Sequence, residues 1–154
     1  MRISRRFIIA CGADQVLSEL RSPLALARCV PGLESFHQRE DGDYQGRLAV
    51  SVAFVSLKFD VTLHMLDAPG GDPIRAEIEG KPIMLAGKLH ADVEISATPE
   101  GQASSLVEYV MEVALTGKLG SMGQSAFRSL AEESGQQFAR NLATLLTGTE
   151  ATLL

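Results

Sequence analysis

A chain of 154 residues has the length of one domain, and its 45% hydrophobic and 21% charged residues match an ordinary folded protein, which excludes wholesale disorder and collagen-like architecture. Nineteen acidic against 14 basic residues leave a net charge of −5, the wrong sign for a phosphate-neutralising surface, so no nucleic-acid partner is expected. Aromatic residues at 5%, with no Trp, also leave little material for base-stacking platforms.

At the N-terminus Arg2, Arg5 and Arg6 precede Phe7-Ile8-Ile9-Ala10-Cys11, which imitates a lipoprotein signal. A signal needs an apolar core of ~7 to 15 residues, and only a handful separate Arg6 from Gly12. The segment from Ile3 to Ala10 therefore reads as a β-strand, and the expected location is cytoplasmic. Asp14 then stands as an N-cap before Val16, Leu17 and Leu20 at helical spacing. Pro23 starts a second short helix through Leu24, Leu26 and Ala27, and Pro31-Gly32 reverses the chain. Cys11 and Cys29 have no metal-ligand spacing and read as reduced thiols.

Six strands follow, from Leu33 to Glu40, Tyr44 to Val52, Ser56 to Ala68, Pro73 to Glu79, Leu85 to Ala97 and Ala103 to Lys118. Turns at Asp41-Gly42-Asp43, Pro69-Gly70-Gly71-Asp72 and Pro99-Glu100-Gly101 suit antiparallel neighbours. Strand parity puts Leu57, Phe59, Leu63, Leu89, Tyr109 and Met111 on one continuous apolar face, opposite Lys58, His64, His90, Glu108 and Glu112. After Gly120 the period becomes helical. Met122, Ala126, Phe127, Leu130, Phe138, Leu142 and Leu145 then make the stripe of one long amphipathic helix ending near Thr147. The predicted fold is α+β, a seven-stranded curved antiparallel sheet covered by the long C-terminal helix, with two short helices after the first strand. It forms one domain over residues 1–148 and leaves a short tail at 149–154.

Catalytic chemistry has little to draw on. His37, His64 and His90 fall singly on separate strands, and Glu108 and Glu112 read as a solvated strand edge, so no catalytic residue, metal ligand or cofactor is assigned. The apolar face is more informative. A static void of ~300 Å³, the low end for ligand pockets, would cost about 7 kcal/mol at ~24 cal/mol per Å³, against a whole-domain stability of ~5 to 15 kcal/mol. The space under the helix must therefore be filled by side chains, by water on polar atoms, or by an apolar ligand, with Tyr44 and Tyr109 supplying hydroxyls if they face inward.

The first strand, Ala13 to Leu20, Ser22-Pro23, Leu26-Ala27-Arg28-Cys29-Val30-Pro31-Gly32, Tyr44-Gln45-Gly46 and Thr116 to Gln124 together resemble the carbon monoxide dehydrogenase CoxG family of the SRPBCC superfamily, which includes START and birch-pollen-allergen-like proteins. The resemblance spans nearly the whole chain. It implies a helix-grip fold and a non-catalytic accessory role at the cytoplasmic membrane face, assisting a molybdenum-containing dehydrogenase of the hydroxylase type. It also implies an apolar cavity for a lipid or quinone-like molecule, with Phe59, Leu63, Leu89, Tyr109, Met111, Met122, Phe127 and Leu130 as its expected lining. Two departures stand out: Ala53-Phe54 where the family usually has Gly-Pro, and the bulkier Gly80-Lys81-Pro82-Ile83-Met84-Leu85 before the sixth strand. Pro82, Ile83 and Met84 are accordingly expected to form a gate or docking tip. The family's membrane-attaching tail has no counterpart before Leu154, so peripheral association is the expectation. The alternatives are a small cyclase- or hydrolase-like enzyme in the same cavity, and a cavity-less protein-interaction module.

Overall fold

The computed structural model describes residues 1–52, 54–66, 73–149 and 151–154. Among them the chain runs β1 (Arg2–Ile9), α1 (Ala13–Leu20), α2 (Pro23–Ala27), β2 (Leu33–Gln38), β3 (Tyr44–Val52), β4 (Val55–Leu66), β5 (Ile74–Pro82), β6 (Gly87–Pro99), β7 (Ser105–Thr116), α3 (Gly117–Ser121), α4 (Gln124–Thr147) and β8 (Thr152–Leu153). The strands form one antiparallel sheet in the order β2-β3-β4-β5-β6-β7-β1-β8. Each link from β2 to β7 joins sequence neighbours, as short reversing turns dictate. The architecture is the expected α+β one, with an eighth strand of two residues.

Local differences from the sequence reading have physical causes. The cap of α1 is Gly12, which makes no side-chain hydrogen bond, while Asp14 sits in the first turn, where its charge favours the positive helix end. Strand β5 continues through Pro82, which pairs with Phe59 and is buried. The final helix is broken: α3 ends at Ser121, and Gly123, at φ 98°, turns the chain before α4 starts. Leu145 is exposed and Leu146 packs inward instead. The tail pairs Leu153 with Phe7 and Thr152 with Ile8. The turn assigned to Pro69–Asp72, and Ala53, lie outside the described residues.

The convex face carries cross-strand ion pairs: Arg2–Glu112 at 3.3 Å, Arg6–Glu108 at 3.8 Å, Arg47–Asp60 at 3.0 Å and Arg75–Glu94 at 3.3 Å. Glu108 and Glu112 lie on β7, between β6 and β1, so they belong to the interior of this charged face and not to a strand edge. Such exposed pairs contribute little to stability individually. Their consequence is directional, because the apolar residues are left to the concave side.

Two clusters of buried side chains hold α4 there. One joins Phe7, Ile9, Val16, Leu20 and Val107 to Ala139, Leu142 and Ala143, near the C-terminal end of the helix. The other joins Val52, Leu57, Phe59 and Leu119 to Phe127, near its start. Hydrogen bonds bracket the same helix: Arg128 donates to Arg2 O at 3.1 Å, Arg5 to Glu132 O at 3.1 Å, and Asn141 to Cys29 O at 3.0 Å.

Candidate functional site

Between the two clusters the helix and sheet stand apart and enclose a cavity of about 410 Å³. The sheet supplies its floor through alternate residues of β3 to β7, including Val61, Leu63, Ile78, Val93 and Met111. Across from them α4 contributes Phe127, Leu130, Ala131, Ser134, Gly135 and Phe138. Helix α2 and the following reversal close the remaining side with Leu26, Ala27, Val30 and Pro31, and the cavity meets the surface beside Val30, which is 37% exposed. No residue of α2 is fully buried, so this wall is the least tightly held.

Of the residues expected to line such a space, Phe59, Leu63, Leu89, Tyr109, Met111, Phe127 and Leu130 do line it. Met122 does not: it packs into the cluster around Leu119 and Phe127, because the break at Gly123 turns its segment away. Pro82, Ile83 and Met84 do not line it either. Pro82 is locked in the β5–β4 pairing, and Ile83 and Met84 enclose a separate recess with Ser56, Leu57 and Lys58, so they do not gate this cavity. Tyr44 stacks on Phe36 at 5.5 Å with the rings parallel, and Phe36 rather than Tyr44 reaches the cavity wall.

Tyr109 is the chemically distinctive member. Its ring meets Phe138 edge-on at 6.3 Å, and its hydroxyl lies against the α4 backbone at Gly135, where a Cβ would overlap the phenol oxygen. Arg5 hydrogen-bonds to that phenol, which leaves the hydroxyl proton available to an acceptor in the cavity. Burial raises the Tyr109 pKa and the Arg5 charge only partly opposes it, so the phenol stays protonated. Among the described residues, Tyr109 and Ser134 are the lining members with polar side chains, and none is charged.

Arg5, Gly135 and the α2 wall had no role in the sequence reading. Gly135 was detectable as the lone glycine in a 24-residue helix, where it costs about 1 kcal/mol relative to Ala unless a close approach needs it. The histidines lie outside the cavity: His37 is exposed, His64 Nδ1 lies 2.6 Å from Asp43, and His90 Nε2 lies 3.2 Å from Asp92. Among the described residues no three His, Cys, Asp or Glu side chains converge as a metal site, and no helix is long and apolar enough to cross a membrane. Cys29 is buried against the first cluster, where burial and then the nearby Glu19 raise its thiol pKa.

Comparison with known proteins agrees with this geometry. The family model for the carbon monoxide dehydrogenase CoxG family matches residues 6–147. No curated protein matches. Solved structures with the same fold include a conserved protein from Geobacillus kaustophilus, with a TM-score of 0.84 and 18% identity over 99% of this chain and 99% of that one. A START superfamily protein from Mycobacterium smegmatis has a TM-score of 0.65 and 18% identity over 96% and 97%. An aromatase/cyclase from Streptomyces sp. R1128 has a TM-score of 0.68 and 14% identity over 95% and 93%.

Proposed function

The chain belongs to the carbon monoxide dehydrogenase CoxG family, and from that premise we propose that it is a non-catalytic accessory protein that holds an apolar molecule, a lipid or a quinone-like isoprenoid, and assists a molybdenum-hydroxylase-type dehydrogenase at the membrane. The observation that carries the proposal is the lining: about 410 Å³ bounded by hydrocarbon, with the Tyr109 phenol and the Ser134 hydroxyl to meet a polar atom.

Water is a poor occupant of such a space. At ~30 Å³ each, about 14 waters would fit, and each needs two to four polar partners that this wall does not offer. A hydrocarbon chain with one acceptor at its head is the matching shape, since its length contacts the sheet floor while its acceptor takes the Tyr109 proton. A quinone has that pattern and can take up two electrons, as such an enzyme releases, together with two protons from solvent. Catalysis of the kind named for the aromatase/cyclase would need a base or acid in the cavity. Tyr109 is held protonated, and among the described residues no carboxylate, histidine or lysine lines the wall.

The test is occupancy. Native mass spectrometry of gently purified protein should find an apolar adduct. A fatty acid or short-chain quinone at 100 times its dissociation constant should stabilise the fold by about 2.7 kcal/mol, a rise in Tm of roughly 5 to 10 °C for a chain of this size. Protein that is empty as purified and unmoved by either class of compound refutes the proposal.

A further inference from the structure

At one end of the sheet the turn from β3 to β4 and the loop after β5 stand side by side, joined by the hydrogen bond from Ile83 N to Lys58 O at 2.9 Å. Four bulky apolar side chains project there: Phe54 is 107% exposed, Met84 93%, Val55 46% and Ile83 42%. Phe54 also holds φ at 69°, a left-handed conformation that costs a bulky residue energy, and the strain presents the ring to solvent instead of to the core.

The same end collects the lysines. The chain has four, and all lie beside this tip: Lys58 near the start of β4, Lys81 near the end of β5, Lys88 near the start of β6 and Lys118 in α3. Their neighbours of opposite sign are Glu34, paired with Lys58 at 3.3 Å, Glu79, paired with Lys88 at 3.1 Å, and Asp60, paired with Arg47 at 3.0 Å. Among the described residues no carboxylate lies within ion-pair distance of Lys81 or Lys118. The opposite end carries Glu40, Asp41, Asp43, Glu94 and Glu100 against Arg39 and Arg75. A chain of net charge −5 is thus locally positive where its apolar side chains protrude.

We propose that this tip is a membrane-docking surface that inserts Phe54 and Met84 among the headgroups of an anionic bilayer, with the lysines bound to lipid phosphates. The side chains stand singly on two turns and offer nothing like the roughly 800 Å² per partner that a stable protein interface needs. A bilayer asks for no such complementary surface, and it accepts isolated apolar groups at the depth of the headgroup boundary. The proposal rests on the reading of the chain as a carrier of an apolar molecule. It assigns to that carrier the face with which it approaches the bilayer, an end distinct from the cavity opening beside Val30.

The chain contains no Trp, so Phe54→Trp, Met84→Trp and, at the opposite end, Gln102→Trp each create a single indole reporter in the full-length protein. Mixed with phosphatidylcholine vesicles containing phosphatidylglycerol, the first two should shift their emission to the blue and be quenched by brominated lipid, and the third should do neither. Binding should weaken in raised salt and be lost on phosphatidylcholine alone. Lys81→Gln with Lys118→Gln should lower affinity about 25-fold, at roughly fivefold per lysine near an anionic surface. Phe54→Ser with Met84→Ser should lower it at least tenfold with Tm unchanged. Absence of vesicle binding, indoles that stay wet in bound protein, or light scattering that shows a dimer dissociated by Phe54→Ser would overturn the proposal. Ligand occupancy is measured in vesicle-free buffer, so failure to dock and failure of the cavity to bind are separate results.

Discussion

Replacing Gly80 by Leu separates a cavity from a filled core by the sign of its effect. Gly80 lies on β5 in the cavity floor, and a Cβ built there would sit 3.4 Å from Phe59 Cδ1 and 3.6 Å from Leu89 Cβ, which is ordinary van der Waals contact. The new isobutyl group then projects into the space under α4. Its four carbons fill about the room of four waters, ~120 Å³, and at ~0.8 kcal/mol per buried carbon they gain ~3 kcal/mol. Loss of glycine's unfolded-state freedom adds ~0.4 to 1 kcal/mol, and side-chain ordering subtracts ~0.5 to 1 kcal/mol. The expected net is a stabilisation of about 2 to 3 kcal/mol, read as a higher urea midpoint with unchanged m-value and a Tm raised by roughly 4 to 12 °C. The same substitution leaves about 290 Å³, at the bottom of the range for ligand pockets, so the thermal shift produced by a fatty acid or quinone should shrink sharply. Were the space already packed, the added leucine side chain would overpack it and destabilise the fold by ~1 to 3 kcal/mol. A lowered urea midpoint therefore refutes the cavity.

The ionisations of Cys29 and Tyr109 set an alkaline limit. Both pKa values lie above their ordinary 9.0 and 10.0 in the folded chain, so the stability tied to them is complete below about pH 9 and falls as pH climbs through the raised values. Urea unfolding from pH 8 upward should show this decline, and Cys29→Ala combined with Tyr109→Phe should flatten it. His37→Ala, His64→Ala and His90→Ala should each change stability by no more than about 0.5 kcal/mol and leave the ligand-induced Tm rise intact; its loss in a folded variant would bring a histidine into the site.

Period-two alternation located the strands because each has one face toward charged solvent and one toward the helix: in β4, Lys58 and Asp60 alternate with the buried Leu57 and Phe59. Where tertiary contact overrode local pattern, legibility failed. The apolar stripe runs unbroken from Met122 to Phe127, and nothing in it announces that Gly123 takes a positive φ and splits the helix. Pro82 reads as a loop residue, yet proline needs no donor where it pairs with Phe59 at the end of β5. The two residues of β8 are a strand only because β1 lies beside them. Nor could parity distinguish a lining residue from a packed one, since Val61 and Leu57 share a face of β4 while one borders empty space and the other is core.

What opens the cavity is written in side-chain size along α4. At both ends the helix meets the sheet through complementary volumes, Phe127 against Phe59 and Leu119, and Ala139 and Leu142 against Phe7 and Val107. Midway it turns Ala131, Ser134 and Gly135 inward, at the i, i+3, i+4 spacing of one helical face. Large residues there would close the gap, so the void follows from three small side chains held between two firm supports. The arrangement also explains why the empty space is tolerable. Each cluster is buried independently of the cavity, and the cost of unfilled volume falls on the central turns of α4 and on α2, a wall with no fully buried residue. An occupant therefore contributes most where the protein contributes least, which couples filling of the cavity to ordering of the α2 wall beside its opening.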